Sequence, residues 1–265
     1  MGTRRPLELP SLMHQAALLA SPAERAALTA VYELRAALKG AARGVHEEAI
    51  EARLNWWQRE LTLLPQGQAH HPATRALLAA HPVRAIDVPG WLDVLAVHRR
   101  TSTPTTTLFE AQAERDWGHL LQLSSVIMGA APPKDWLAQL ARALQWAEVL
   151  REAGADAAGG HVRLPLDQLA QAGASLQALK AGQCDSRCSA WFAARAQETR
   201  RALHALAHTC PPPARHALLP LRTFAALMHH VLKPIARQGA LPLREVPTLK
   251  PVRAWIIAIH CSFMR

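Results

Sequence analysis

The stretch EARLNWWQRELTLLPQGQAHHPATRAL, residues 51–77, decides the fold class. Its first part continues an apolar stripe in steps of three and four residues, which is typical of one face of an α-helix. The stripe is formed by Ile50, Leu54, Trp57 and Leu61. The segment PQGQAHHP then ends this helix, because proline and glycine interrupt helical hydrogen bonding. A second helix is predicted to begin after Pro72.

Two adjacent tryptophans in the first helix point about 100° apart, so only one can lie at the centre of the buried stripe. We expect Trp57 to join Leu54 and Leu61 in the core and Trp56 to lie at its edge. The alternative is that Trp56 and Trp57 line a channel for an apolar ligand.

The helical spacing continues in both directions along the chain. Residues 22–39 carry another apolar stripe, and Ser21 before Pro22 is typical of a helix N-terminus. Further helical patterns cover 108–129, 134–153, 186–208 and 213–238, and a short helix is predicted at the C-terminal end. Residues 99–108 are predicted to form a loop and 154–167 to be irregular. The sequence therefore predicts an all-α protein.

Size and composition favour one large domain. The chain has 265 residues, of which 50% are hydrophobic, and it shows neither an internal repeat nor a convincing linker. We predict an N-terminal extension over residues 1–15 and one domain over 16–265.

The net charge of +10 favours contact with polyanions such as lipid headgroups or a diphosphate, or simply provides solubility. No nucleic-acid-binding motif accompanies the charge, so specific nucleic-acid binding is not expected. No apolar run reaches the length of a membrane span, and MGTRRPLELP lacks the apolar segment of a signal peptide. We expect a cytoplasmic setting. The apolar segment RAWIIAIHCSFMR, residues 253–265, suggests peripheral membrane contact or a cap on the helical core.

Four Cys and His residues occur in the order of a zinc finger, namely Cys184, Cys188, His204 and His208. The residues between them are predicted to form a continuous helix, which would hold Cys188 about 24 Å from His204. Zinc needs its ligands within about 2.3 Å, so no zinc site is expected here.

The stretch LREAGADAAGGHVRLPL, residues 150–166, carries two carboxylates at the end of a predicted helix. Glu152 and Asp156 are four residues apart and share one helical face. Two carboxylates at this spacing could hold one Mg²⁺ together with substrate phosphates. A glycine pair and a strand-like segment, HVRLPL, follow.

The segment 51–77 resembles the squalene/phytoene synthase family, whose members show an Arg-Leu-x-Trp-Trp-x-x-Glu-Leu helix followed by a G…HP…AL segment. Residues 144–175, LQWAEVLREAGADAAGGHVRLPLDQLAQAGAS, resemble its second aspartate-rich region, including LPLD and GAS. The C-terminal segments AARAQETRRALHAL and RHALLPLRTFAALMHHVLKPI are also similar to the family.

The resemblance implies a single-domain, isoprenoid synthase-type helical bundle around a central cavity. In that family two aspartate-rich helices face each other and hold magnesium ions. These ions bind the diphosphates of two prenyl substrates, which the enzyme joins head to head. The metals stabilise the charge that develops on the leaving diphosphate.

The sequence departs from the family at three places. Lys39, Gly40 and Arg43 stand where the first motif would have aspartates. In the second region Glu152 replaces an aspartate, Ala155 replaces an acidic residue, Asp156 is kept, and Glu148 stands where an amide is usual. The segment RDWGHLL, residues 115–121, lacks the tyrosines and arginine of the family's YxYRVAG-like segment.

These departures leave two functional hypotheses. In the first, the chain is a catalytically degenerate member that binds a protein partner, or an isoprenoid or lipid, as in the branch that includes a mitochondrial respiratory complex I assembly factor. In the second, it is an active head-to-head prenyltransferase of the squalene or phytoene type.

The second hypothesis assigns roles to residues near the eroded motifs. Lys39, Arg43 and Arg151 would bind the substrate diphosphate, Glu152 and Asp156 would hold Mg²⁺, and Tyr32, Trp56 and Trp57 would line the cavity. Cationic side chains can bind phosphate directly, and arginine can do so through two hydrogen bonds. The alternative is that Lys39 and Arg43 only form salt bridges with Glu152 and Asp156.

Overall fold

The computed structural model describes residues 9–44, 46–80, 86–210 and 212–263, and all structural statements concern these residues. They are predominantly helical. In chain order the helices are α1 (Leu9–Ala17), α2 (Pro22–Ala41), α3 (Glu47–Leu63), α4 (Pro72–Ala80), α5 (Val88–Arg99), α6 (Thr106–Ala113), α7 (His119–Ile127), α8 (Lys134–Ala158), α9 (Leu166–Gln171), α10 (Leu176–Lys180), α11 (Ser186–His208), α12 (Pro212–Arg215), α13 (Leu219–Val231), α14 (Lys233–Gln238) and α15 (Pro251–Phe263). The predicted all-α class is confirmed.

The start of α2 is fixed by local hydrogen bonds, as the sequence predicts. The Glu24 backbone N–H donates to Ser21 Oγ, and the Ser21 backbone N–H donates to the Glu24 carboxylate at 2.9 Å. This reciprocal pair satisfies two donors that the helix cannot satisfy itself. The apolar stripe of α2 then faces the core, where Leu34 and Leu38 are fully buried.

Helix α8 lies at the centre of the molecule and packs against α6, α11 and α13. It continues five residues beyond the predicted end at residue 153, so the prediction that residues 154–167 are irregular is wrong at their start. The helix continues through Gly154 because this residue packs directly against the 3₁₀ turn Leu241–Leu243. It ends before Gly160, whose φ of +82° is readily adopted only by glycine.

Two short strands connect the ends of distant helices. Strand β1 (Ser102–Thr103) pairs in parallel with β2 (Val162–Pro165). The strand-like appearance of HVRLPL is therefore confirmed, whereas the loop predicted for residues 99–108 contains β1 and the start of α6. The pairing brings the chain after α8 beside the chain after α5.

The helix predicted over 108–129 is observed as far as Ile127, but its helical repeat changes within it. Residues Glu114–Gly118 form a π-helical turn between α6 and α7. A π turn adds one residue to the helical repeat and is frequent at functional sites. Asp116 and Trp117 lie in this turn and are fully buried.

The predicted helical stretch 213–238 is divided into α12, α13 and α14. Pro220 lies in the first turn of α13 and Pro234 in the first turn of α14. Because proline has no backbone N–H, it fits the first turn of a helix but interrupts its interior. The prolines therefore divide this stretch into separate helices.

The predicted domain boundary after residue 15 stays a prediction. Residues 1–8 lie outside the described residues, and α1 follows them with Leu12 and Ala16 fully buried. The last two residues of the predicted C-terminal segment also lie outside the described residues. Within the described ranges, every helix is too short or too polar to cross a membrane.

Candidate functional site

Helices α2 and α8 lie side by side and present opposite charges to each other. Arg35 and Lys39 on α2, and Arg43 two residues beyond its end, follow at steps of four residues. On α8, Glu148, Glu152 and Asp156 follow at the same spacing. Residues four apart share one face of a helix. The two faces therefore form a ladder in which each cation meets carboxylates of the neighbouring helix.

The contacts are direct and run in register along both helices. Arg35 donates one hydrogen bond to Glu148 at 2.6 Å and two to Asp116, at 2.7 and 2.6 Å. Lys39 Nζ donates to Glu152 at 2.7 Å and also contacts Glu148.

At the outer end of the ladder, Arg43 donates to Glu152 at 2.9 Å and contacts Asp156. The salt bridges that the sequence allows from Lys39 and Arg43 to Glu152 and Asp156 are present.

A fourth cation enters from the strand that follows α8. Arg163 on β2 donates to Asp156 at 2.7 Å and to Glu152 at 2.9 Å, and lies 3.5 Å from Glu148. We call these eight residues the charge ladder: Arg35, Lys39, Arg43, Arg163, Asp116, Glu148, Glu152 and Asp156. It contains four cations and four carboxylates, so its formal charge is zero.

Burial increases the energetic importance of the charge ladder. Asp116 and Glu148 are 0% exposed, whereas the Arg43 side chain is 42% exposed and marks the solvent side. A buried charge is very costly unless it is paired and hydrogen-bonded. The inner rungs therefore depend on one another, because each cation there compensates a buried carboxylate.

The pairing determines the protonation states. Burial alone would raise the pKa of Glu152, but the charges of Lys39 and Arg163 outweigh it and lower this pKa to about 2. Arg35, Lys39 and Arg163 likewise hold the pKa of Glu148 well below its usual value against the effect of burial. Burial lowers the pKa of Lys39, while Glu148 and Glu152 oppose this shift.

The π turn positions the innermost part of the ladder. Trp117 donates from its indole N–H to Glu148 at 2.9 Å, and the Arg35 guanidinium lies 3.9 Å from the centre of the Trp117 ring. Such a cation–π contact stabilises a desolvated guanidinium. Asp116 and Trp117 belong to the segment RDWGHLL, which thus supplies partners for Arg35 and Glu148.

A small cavity lies beside the outer rungs and is strongly basic. Its volume is about 10 Å³, close to the minimum that one water molecule needs. Its lining consists of Lys39, Arg43, His98, Asp156, His161 and Arg163. Burial lowers the pKa of His98, against the effect of the nearby Asp116 carboxylate.

The family assignment follows from comparison with known proteins. The model of the squalene/phytoene synthase family matches residues 12–253, which is most of the chain. The chain belongs to the squalene/phytoene synthase family. No curated protein is similar enough in sequence to count as a match.

Three solved structures share the isoprenoid synthase helical fold. Squalene synthase HpnC from Alicyclobacillus acidocaldarius has 20% sequence identity and a TM-score of 0.67, over 85% of this chain and 88% of that one. A dehydrosqualene synthase in complex with ligand has 15% identity and a TM-score of 0.74, over 93% and 89%. YisP from Bacillus subtilis has 13% identity and a TM-score of 0.60, over 94% and 89%.

Two motifs that carry the family resemblance have structural roles here. Glu60, from the Trp-Trp-x-x-Glu-Leu helix, accepts hydrogen bonds from the backbone N–H groups of His70 and His71 and from the Thr74 hydroxyl, at 2.5–2.9 Å. Asp167, from LPLD, accepts from the Thr106 backbone N–H at 2.8 Å. Each carboxylate therefore fixes the N-terminal region of a neighbouring helix.

The residues predicted to hold Mg²⁺ do not present free ligands. Both oxygens of Asp156 and one oxygen of Glu152 accept hydrogen bonds from Lys39, Arg43 or Arg163. At the positions of the first motif, α2 contributes cations instead of oxygen ligands. The donor set of the charge ladder thus does not fit a magnesium cluster of the kind that the family resemblance implies.

The third predicted diphosphate ligand, Arg151, lies behind the ladder. This residue is buried, and its guanidinium donates to the Pro247 carbonyl at 3.0 Å and to the second oxygen of Glu152 at 3.2 Å. It therefore supports Glu152 from the side away from Lys39. Its role in diphosphate binding stays a prediction.

The three aromatic residues predicted to line a cavity occupy different environments. Tyr32 is buried, and burial raises the pKa of its hydroxyl to about 12 against the effect of a hydrogen bond with Ser124. Trp57 lies in the core and Trp56 is 38% exposed, as the helical spacing predicts. The rings of Trp57 and His71 lie 4.6 Å apart. A role in ligand binding stays a prediction for all three.

Four of the eight charge-ladder residues are not predicted as site residues from the sequence, namely Arg35, Asp116, Glu148 and Arg163. Arg35 continues the four-residue spacing of Lys39 and Arg43 and could have been recognised from it. Asp116 and Arg163 carry no comparable signal, because a π turn and a pair of short strands bring them to the site.

Proposed function

We propose that this chain is a catalytically degenerate member of the squalene/phytoene synthase family that acts by binding and not by joining prenyl diphosphates. The charge ladder carries this proposal. Where the family resemblance implies carboxylates of two facing helices around magnesium, cations of α2 neutralise carboxylates of α8 directly.

The chemistry of the family's reaction explains why direct pairing of cations with carboxylates argues against catalysis. Ionisation of an allylic diphosphate places negative charge on the leaving group, and preorganised cations must stabilise it. In the charge ladder, the carboxylates already accept from Arg35, Lys39, Arg43 and Arg163. A diphosphate would have to displace these partners and leave buried carboxylates without compensation, which typically costs about 3–5 kcal/mol for one broken pair.

Such a protein would bind a protein partner, an isoprenoid or a lipid, as is proposed by analogy with the assembly-factor branch of the family. The retained helical fold supports this proposal. The chain buries a large continuous core, and the motif residues Glu60 and Asp167 stabilise connections between helices.

One observation favours the second candidate, an active head-to-head prenyltransferase. Three cationic side chains, two histidines and a single carboxylate line the small cavity at the outer rungs. Arg43 is partly exposed there and could bind a phosphate oxygen directly. In this candidate, cationic side chains replace part of the function of the metal ions.

Incubation of the purified protein with farnesyl or geranylgeranyl diphosphate, with and without Mg²⁺, separates the two candidates. The proposal expects neither diphosphate release nor a hydrocarbon product from the folded protein. Magnesium-dependent formation of a squalene- or phytoene-type product would overturn it.

A thermal-shift series identifies binding without turnover. A ligand that binds only the folded state raises the melting temperature by mass action. A shift with farnesol but not with inorganic diphosphate would support binding of the apolar chain. A shift with inorganic diphosphate that is lost in Arg43→Gln, but not in the exposed control Arg59→Gln, would support direct capture by the basic cavity and favour the second candidate.

A further inference from the structure

Helix α15 exposes an unusually large apolar surface. Its outward residues are 37–79% exposed, although each is large and apolar. They are Val252, Trp255, Ile256, Ile259 and Phe263. Exposed apolar residues are normal when scattered, whereas a contiguous patch marks an interaction site.

The inward face of α15 is also apolar. Ala254, Ile257 and Ala258 are buried, and the helix packs against α13 and α1. A large apolar face of a helix is expected to be covered by an apolar environment. In α15 the protein core covers one face, so the outward face requires another apolar environment.

The patch extends from α15 onto α1. Leu18 and Leu19 at the end of α1 join Trp255 and Ile259 around a shallow cavity of about 180 Å³. Leu18 is itself about half exposed. The apolar surface is therefore built from two helices and is not the frayed end of one.

The segment that carries α15 has charges of one sign from Val246 onward. No acidic residue occurs between Val246 and Phe263, and Lys250 and Arg253 are exposed in this segment. The positive charge also acts on a neighbouring helix. Burial and then the charges of His229, Arg253 and Lys233 lower the pKa of His230 on α13 to about 4. A surface with negative charge would therefore be electrostatically complementary to this region.

We propose that the outward face of α15, together with Leu18, docks the protein on the surface of a lipid bilayer that contains anionic lipids. A helix of 13 residues is about 20 Å long, too short to span the bilayer core but suitable to lie in its interface. Tryptophan and phenylalanine insert at the headgroup level, where Lys250 and Arg253 meet anionic headgroups. This inference goes beyond the proposed function and does not depend on it.

Vesicle flotation with the full chain tests the docking surface. Vesicles of phosphatidylcholine alone and of phosphatidylcholine with phosphatidylglycerol serve as probes, at low and at high salt. We expect binding to the anionic vesicles that weakens with salt. The double variant Trp255→Glu/Phe263→Glu should lower the bound fraction by about tenfold or more, because charged side chains replace the inserted apolar ones.

Matched variants separate the patch from general effects of charge. Val126→Glu removes an equally exposed apolar side chain on α7 and should leave vesicle binding unchanged. Arg253→Gln should weaken binding to anionic vesicles by about fivefold, whereas Arg59→Gln on α3 should not. The altered positions are exposed, so circular dichroism should show the same helix content in all variants.

Two results would overturn the proposal. One is equal binding of the parent protein and Trp255→Glu/Phe263→Glu to anionic vesicles. The other is no vesicle binding by the parent protein, with self-association in solution that the double variant abolishes, which would assign the patch to a protein interface.

Discussion

Lys39 Nζ on α2 lies 2.7 Å from Glu152 Oε2 on α8, and this ion pair joins the two helices on which the family resemblance places the metal-binding motifs. A lysine thus bonds directly to the carboxylate that the family resemblance would assign to magnesium. The pair is one rung of a ladder, because Arg35 and Arg43 occupy the neighbouring positions of the same face. Removal of a single charge therefore affects partners on both sides of it.

The first prediction concerns stability. Lys39→Asp combined with Arg43→Asp should lower the free energy of unfolding by about 3–5 kcal/mol or more, because it leaves Glu148, Glu152 and Asp156 facing like charges. Urea denaturation monitored by circular dichroism measures this change. The control variant Arg59→Asp/Arg75→Asp changes two exposed positions and should lower the free energy of unfolding far less. Equal stability of the Lys39/Arg43 variant and the parent protein would show that the ladder is not structural.

The second prediction concerns magnesium. In the Lys39→Asp/Arg43→Asp variant, two introduced carboxylates would face Glu152 and Asp156, and Mg²⁺ favours such oxygen ligands. Millimolar Mg²⁺ should therefore raise the melting temperature of this variant but not that of the parent protein, relative to NaCl at matched ionic strength. If Mg²⁺ raised the melting temperature of the parent protein by the same amount, the charge ladder would not be a replacement for the metal ion.

The sequence predicts part of the charge ladder because spacing along one helix is local information. Steps of four residues place Lys39 with Arg43 and Glu152 with Asp156, and their pairing across the site follows from the family resemblance. Asp116 depends on a π turn that the periodicity of residues 108–129 does not reveal. Arg163 depends on the pairing of β2 with a strand about 60 residues earlier, which no local pattern specifies.

The difference between local signals and contacts of distant segments also applies to the fold. The helix predicted over residues 186–208 is observed as Ser186–His208, because an N-capping Asp185 and a helical stripe are local signals. The predicted end of α8 is wrong because Gly154 is a weak helix former in isolation. Its packing against residues 241–243, which are distant in sequence, decides its conformation.

The third prediction concerns acid stability. The pKa of Glu152 is lowered from 4.5 to about 2, so the folded protein binds this proton less readily than the unfolded chain. The associated stabilisation, about 3 kcal/mol, is fully present above the unfolded pKa and is lost as the pH falls through the folded pKa. Unfolding free energies measured from pH 7 down to acid should therefore fall steeply below pH about 4.5. Glu152→Gln should flatten this decrease, and exposed Glu48→Gln should not.

The fourth prediction concerns Glu60, whose carboxylate bonds to the region that begins α4. Burial would raise its pKa, but hydrogen bonds from Thr74, His71 and His70 lower it to about 2. Glu60→Gln presents only one acceptor oxygen to these donors and should cost about 2 kcal/mol of stability. Denaturant titration measures the cost, with Glu48→Gln on the same helix as the control. A loss as small as that of the control would show that water replaces the carboxylate.

The last prediction compares two helical glycines. A Cβ at Gly154 would lie 2.4 Å from the Pro242 carbonyl oxygen, closer than real contacts allow, whereas a Cβ at Gly40 would meet nothing within 4 Å. Alanine favours a helix over glycine by about 0.8–1 kcal/mol. Gly40→Ala should therefore raise the melting temperature, and Gly154→Ala should lower it by displacing residues 241–243 from α8. Opposite shifts in thermal unfolding would establish the close packing at Gly154, and stabilisation by both substitutions would refute it.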